Sequence, residues 1–190
     1  EKNVLNNFPQ ATILRPSTVY SIDDNFTTNF MTLLNRLPIF PLYYGGNTRF
    51  APIACSDLTD TIHYVISNNI YSKIIECVGP EIITFKEILQ RLLNLIEKKR
   101  ILLPFPLPLA KLSARFFELM PNPLLTRDQL RLLAHSNIAT GKYQTNSDIG
   151  IPSKRYFNDE VKKYCYMWRE GGQFSTEKYT SNDDLEKKSS

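Results

Sequence analysis

"ATILRPSTVY", residues 11–20, opens with a short apolar, β-favouring run held between Pro9 and Pro16. It reads as a buried parallel strand over Ala11–Leu14 that leaves its sheet at Pro16, which brings no N–H to the ladder. Helical periodicity follows at once. Phe26, Phe30, Leu33, Leu34 and Leu37 recur at i, i+4, i+7, i+8 and i+11, with Asp23 and Asp24 near the N-terminal end and Pro38 as the stop. A buried strand feeding an amphipathic helix is the opening of an α/β fold.

Working outward, "PIFPLYYGGNTRFAPIA" predicts two extended segments about the Gly45-Gly46-Asn47 turn. "SDLTDTIHYVISNN" predicts a helix capped by Ser56 or Asp57, with Leu58, Ile62, Val65 and Ile66 as its apolar stripe. "KIIECVG", Lys73–Gly79, predicts a second strand. Thr84-Phe85-Lys86-Glu87 is a capping box with Ile83 and Ile88 placed as a hydrophobic staple, and the helix it starts runs to about Lys99. "RILLPF" predicts a short strand, Pro108–Met120 an amphipathic helix, and Thr126-Arg127-Asp128-Gln129 a further helix start. Phe157, Val161, Tyr164, Cys165 and Trp168 mark a last helical stripe. Beyond Arg169 the apolar side chains are too sparse to offset ordering entropy, which predicts a disordered tail over 169–190.

Composition narrows the function classes. The 190 residues are 42% hydrophobic, enough for a core, and their net charge of +4 is too mild to imply nucleic acid. Five excess positive charges do gather between Arg91 and Arg131. They form either a solvated face or a contact with an anionic surface. The apolar run Ile101–Ala110 is far short of the roughly 20 residues a membrane span needs. Cys55, Cys77 and Cys165 are scattered and in no C-x-x-C pair, which argues against a disulfide scaffold or zinc site. All three read as packing residues.

The chemistry of an active site is sparse. None of the seven glycines builds the Gly-rich turn that cradles a pyrophosphate at a helix N-terminus. None of the ten tyrosines has a lysine four positions on, and His63 and His135 lack carboxylate company. No catalytic residue and no metal ligand is assigned.

"ATILRPSTVYSIDDNF", "GGNTRFAPIACSDLTDTI", "VGPEIITFKEILQRLL" and "LLTRDQLRLL", in that order, resemble the second half of an extended short-chain dehydrogenase/reductase. "PLPLAKLSARFFELMPNPLLTRDQLRLL" pulls the resemblance toward the nucleotide-binding accessory subunits of respiratory complex I and their bacterial relatives. The resemblance implies an α/β fold: the C-terminal part of a Rossmann-like doubly wound sheet over residues 1–70, then a smaller, mostly helical domain over 71–168. In such families the Gly-rich turn and a Tyr-x-x-x-Lys helix precede the strand matching Ala11–Leu14. The chain therefore looks like a member without its front half.

The cofactor implied is NADP(H) or NAD(H), and retention by this chain alone is not expected. Pro16, Ser17 and Val19 match the segment passing the nicotinamide end, and Arg49 matches an arginine that in sugar-nucleotide epimerases contacts substrate phosphates. Each has a structural alternative: Pro16 as a strand terminator, Arg49 as an ion-pair partner and Asp57 as an N-cap. Where the resemblance has a glycine after the tyrosine, Ser21 stands here.

The implied role is a non-catalytic accessory or assembly component of complex I. The alternative is half of an active NAD(P)-dependent reductase or sugar-nucleotide epimerase, completed by a separate N-terminal fragment. Implied partners are that fragment on a separate chain, complex I subunits and a peripheral membrane surface met by Pro108–Met120, with no nucleic acid. The implied location is the cytoplasm or the cytoplasmic face of the inner membrane, the matrix side in a mitochondrion.

Overall fold

A computed structural model describes residues 1–104 and 133–172 of the chain. The expected helices at Pro108–Met120 and after Thr126, and the tail beyond 172, lie outside the described residues. A short helix, α1 (Lys2–Asn7), leads into β1 (Ile13–Pro16). The strand therefore sits two residues later than the sequence suggests. Pro16 lies inside it, opposite Cys77, because a terminal strand position needs no N–H from proline. The strand is half-buried rather than buried, with Pro16 exposed at its end.

β1 pairs in parallel with β6 (Ile74–Cys77), and β6 pairs in parallel with β9 (Gln144–Thr145). The three-stranded sheet thus draws strands from either side of residue 70. Ile13, Arg15 and Ser17 direct their main-chain groups to β6, as the bonds Ile13 N–H to Lys73 O and Ser17 N–H to Cys77 O require. By alternation Leu14 faces the other edge of β1, where no strand of the described residues pairs.

The remaining strands form three separate two-stranded pairs. β2 (Val19–Tyr20) pairs in parallel with β5 (Ile53–Ala54). β3 (Ile39–Leu42) pairs in parallel with β8 (Ile101–Pro104), and β4 (Arg49–Phe50) antiparallel with β7 (Ile83–Thr84). The segments flanking Gly45-Gly46-Asn47 are extended as predicted, yet they pair with distant strands instead of each other.

Helix α2 (Thr27–Arg36) is positioned by Asp24, whose carboxylate accepts the Thr27 and Thr28 N–H groups at 2.6 and 3.2 Å. Helix α4 (Phe85–Leu95) begins on the predicted capping box, with Glu87 N–H donating to Thr84 Oγ1 at 3.2 Å and Thr84 N–H to Glu87 Oε2 at 2.6 Å. It stops at Leu95, four residues short of the expectation, where Glu97 turns the chain with positive φ. The last predicted helix breaks in two: α5 (Phe157–Lys162) and a 3₁₀ turn over Cys165–Trp168, which Trp168 ties to α2 by donating to Thr32 Oγ1 at 2.9 Å.

The main core gathers Met31, Leu34, Phe40, Phe85, Leu89 and Phe157 with their neighbours from α2, α4, α5 and the two-stranded pairs. Phe30 stacks edge-on to Phe85 and Phe26, 5.2 and 5.1 Å between centroids. A smaller cluster of Ile53, Val65, Ile75 and Cys77 sits beneath helix α3 (Cys55–Ser67). This helix corrects the predicted stripe, since Ile62 and Ile66 are exposed and the inward face is Asp57, Thr61 and Val65. The reason is polar satisfaction, built around Asp57.

Candidate functional site

Ligands of open α/β sheets bind outside the carboxyl ends of the strands. In this chain that edge is formed by Pro16 at the end of β1 and Ser17 after it, Val78 and Gly79 after β6, and Asn146 after β9. Ser17 is buried. Its N–H is spent on Cys77 O at 2.9 Å and its hydroxyl donates to the Asn137 carbonyl at 2.8 Å. Asn137 also donates through Nδ2 to Thr18 Oγ1 at 3.3 Å, and its main chain joins Arg49 O and Ala51 N–H. Ser17 and Arg49, matched to the site by resemblance, are therefore brought to one segment, Ser136–Asn137. Pro16 stands beside them, exposed at the strand end. Val19 is placed differently: its side chain packs into the smaller core cluster, and its main chain pairs with Ile53.

Arg49 is exposed and has no ion-pair partner among the described residues. Its main-chain N–H donates to Ser136 Oγ at 3.3 Å.

A second set of groups closes the same edge from below. Glu76, buried in the apolar strand β6, accepts the Thr140 N–H and hydroxyl at 2.8 and 2.6 Å. Asn146, also buried, accepts Val78 N–H at 2.9 Å and donates to Ile151 O and Ser153 Oγ, and Ser153 returns a bond to Val78 O at 2.8 Å. Every buried polar side chain of the described residues is satisfied. In the sequence, Asn137, Thr140 and Asn146 read only as a polar loop. The one available signal is Glu76, a carboxylate inside an apolar strand that has to find donors somewhere.

Tested against a dinucleotide, these residues do not fit as a self-sufficient cradle. The Ser17 N–H and hydroxyl and the Asn146 N–H and side-chain amide are committed within the protein, and Pro16 has no N–H to offer. Among the four matched side chains only the Arg49 guanidinium carries a donor left uncommitted by the described residues.

Asp57 corrects another expectation. The N-cap of α3 is Ala54, with no side-chain cap. Asp57 instead lies in the first turn, 4% exposed, and its carboxylate receives the Lys154 and Arg155 N–H groups at 3.1 and 3.0 Å and the Arg155 guanidinium. Arg155 also reaches Asp60 at 2.8 Å, and the two carboxylates, Asp60 foremost, hold its guanidinium more firmly protonated. The site is a structural clasp joining α3 to the chain before α5.

Cys55 corrects a third. It is exposed at the start of α3, because the inward positions are taken by Asp57, Thr61 and Val65. It lines a cavity of about 280 Å³ together with Tyr20, Ile22, Ala54, Lys163 and Tyr164. Burial raises the protonation point of both tyrosines, and their hydroxyls are engaged, Tyr20 with Arg155 O at 3.1 Å and Tyr164 with Thr27 at 2.9 Å. Neither is placed to trade protons with a ligand. Cys77 and Cys165 are buried as expected, and desolvation pushes the Cys77 thiol up to about 11. No cluster of metal-ligating side chains exists among the described residues.

No family model matches this chain. Its sequence is 25% identical over 183 residues to the NADH dehydrogenase [ubiquinone] 1 alpha subcomplex subunit 9, mitochondrial, of Arabidopsis thaliana, covering 90% of this chain and 45% of that protein. The Mus musculus protein of the same name is 24% identical over 155 residues, covering 80% and 41%. The chain thus spans less than half the length of the curated relatives it matches. Among solved structures, the UDP-glucose 4-epimerase of Thermus thermophilus in complex with NAD superposes at a TM-score of 0.57 with 15% identity, covering 88% of this chain and 49% of that one. The likeness to the NADH dehydrogenase subunits runs along most of the chain, and the fold is the Rossmann-like α/β fold it shares with that epimerase.

Proposed function

We propose that this chain is an accessory or assembly component of respiratory complex I, without catalytic activity of its own, held peripherally on the matrix side of the inner membrane. The observation that carries the reading is the similarity to the NADH dehydrogenase subunits over nine-tenths of the chain. Two features support it. Hydride transfer needs a cofactor held against its substrate and a proton donor, and these residues contain neither a Gly-rich cradle nor a Tyr-x-x-x-Lys pair. No helix of the described residues is long and apolar enough to cross a membrane, which suits a peripheral component.

In this reading NADP(H) or NAD(H) is gripped by polypeptide other than these residues. That polypeptide is either a preceding part of the same protein or a separate chain, and it adds a parallel strand to the unpaired edge of β1. Pro16, Ser17 and Val19 then pass the nicotinamide end, with Ser17 fixed by Asn137. Native gel electrophoresis of mitochondria carrying a tagged chain tests the role. Migration of the tag with complex I is the expected result, and a tag found only in free protein rejects it. Calorimetric titration of the chain alone with NADPH tests the division of labour. Weak or no uptake is expected, and tight binding at unit stoichiometry refutes it.

A further inference from the structure

The outer face of the β3–β8 pair is apolar and open. Ile39 lies opposite Ile101, and Pro41 opposite Leu103, on one side of the two parallel strands. Ile39, Ile101 and Leu103 are 50%, 62% and 49% exposed, while Phe40 and Leu42, on the other side, are almost fully buried. Other exposed apolar side chains of the described residues, such as Ile22 or Ile66, do not form a register-paired set of this kind.

Charge surrounds this face in an uneven way. Ile101 N–H donates to Pro38 O at 3.2 Å, which brings the two strand starts together. Arg36 precedes one strand, and Lys98, Lys99 and Arg100 precede the other. Arg100 is anchored there, donating to Leu34 O and Asn35 O at 2.9 and 3.1 Å at the end of α2. No acidic residue occurs in 36–42 or 98–104. The neighbouring carboxylates belong to Glu97 and Glu170, which lie 3.6 Å from Arg169 and 3.5 Å from Lys98. Arg36 and Lys99 remain at least partly exposed. Aliphatic side chains without a polar partner, rimmed by cations on one side, suit the boundary between headgroups and acyl chains of an anionic bilayer, where each nearby cation adds about 1 kcal/mol of attraction.

We infer that the Ile39/Ile101/Leu103 face, with Arg36 and Lys99 at its rim, is a docking surface for an anionic phospholipid bilayer. The inference rests on the peripheral placement proposed above and assigns the contact to residues other than Pro108–Met120. Its test uses the purified chain without complex I, so its failure leaves the native-gel result standing. The probe is a set of vesicles of phosphatidylcholine, alone or with three parts in ten cardiolipin.

Wild-type chain is expected to float with the anionic vesicles several-fold more than with the neutral ones, and less at high salt. Hydrogen exchange over residues 39–42 and 101–104 is expected to slow on vesicle addition. Ile101→Ser combined with Leu103→Ser should cut flotation about tenfold, and Lys99→Glu should do so without touching the core. Absence of flotation overturns the inference. Flotation with unchanged exchange in these strands overturns it too, because another surface then does the binding.

Discussion

Asp57 is a buried carboxylate whose partners, Lys154 and Arg155, stand about a hundred positions away in sequence. Removing it leaves two N–H groups without an acceptor and the Arg155 guanidinium with Asp60 alone. Asp57→Ala should therefore cost about 2–3 kcal/mol, read as a lower urea midpoint, with Asp57→Asn recovering part of the loss. The thiols give a second expectation at this scale. Cys55 is exposed, whereas Cys77 and Cys165 are buried. A thiol reagent such as DTNB should modify one cysteine rapidly in the folded protein and all three in denaturant, and Cys55→Ser should abolish the rapid phase. A side chain's partner is invisible in sequence when it arrives from another element. Asp57 carries a helix-start pattern, which reads as a cap, and only the fold supplies Arg155. Ser17 is the same case, its partner Asn137 lying 120 positions on.

Elements with a local cause were legible, and those with a distant cause were not. Helix α4 follows from the box that Thr84 and Glu87 close between them, which needs no tertiary partner to start a helix. Thr84→Ala should cost about 1 kcal/mol. The Thr84 N–H and hydroxyl hold the Glu87 carboxyl below the usual carboxylate range. A depressed folded pKa stabilises fully above the unfolded value and is lost as pH falls through the folded one. The gap between wild type and Thr84→Ala should thus narrow on acidification, as urea titrations at neutral and strongly acidic pH would show. By contrast β2, β7 and β9 are pairs of residues that count as strands only through their neighbours, and no periodicity announces them. Gly79 shows how close such elements come. A Cβ there would sit 1.7 Å from Pro52 O, main chain against main chain. Gly79→Ala should cost at least about 3 kcal/mol or prevent folding, measured as a loss of soluble cooperative protein.

At the scale of the molecule the sheet is asymmetric. Among the described residues β6 is paired on both sides and β1 on one. The amide of Leu14 should exchange orders of magnitude faster than that of Ile75, and adding the polypeptide that completes the sheet should slow Leu14 selectively. Equal protection of the two in the lone chain would mean that the edge is already covered. The fold class was readable because strand and helix signals alternate along the sequence. The arrangement of the candidate site was not, since its defining segment, Ser136–Asn137, carries no motif and acquires meaning by lying against Ser17 and Arg49.

The molecule also carries its own optical gauge. Trp168 is the single indole in the chain, and its N–H is fastened to Thr32 on α2. Intrinsic emission at 295 nm excitation therefore watches one seam, where the Cys165–Trp168 turn meets that helix. A red shift that precedes the loss of circular dichroism would time the release of that turn before the rest gives way, with no label attached.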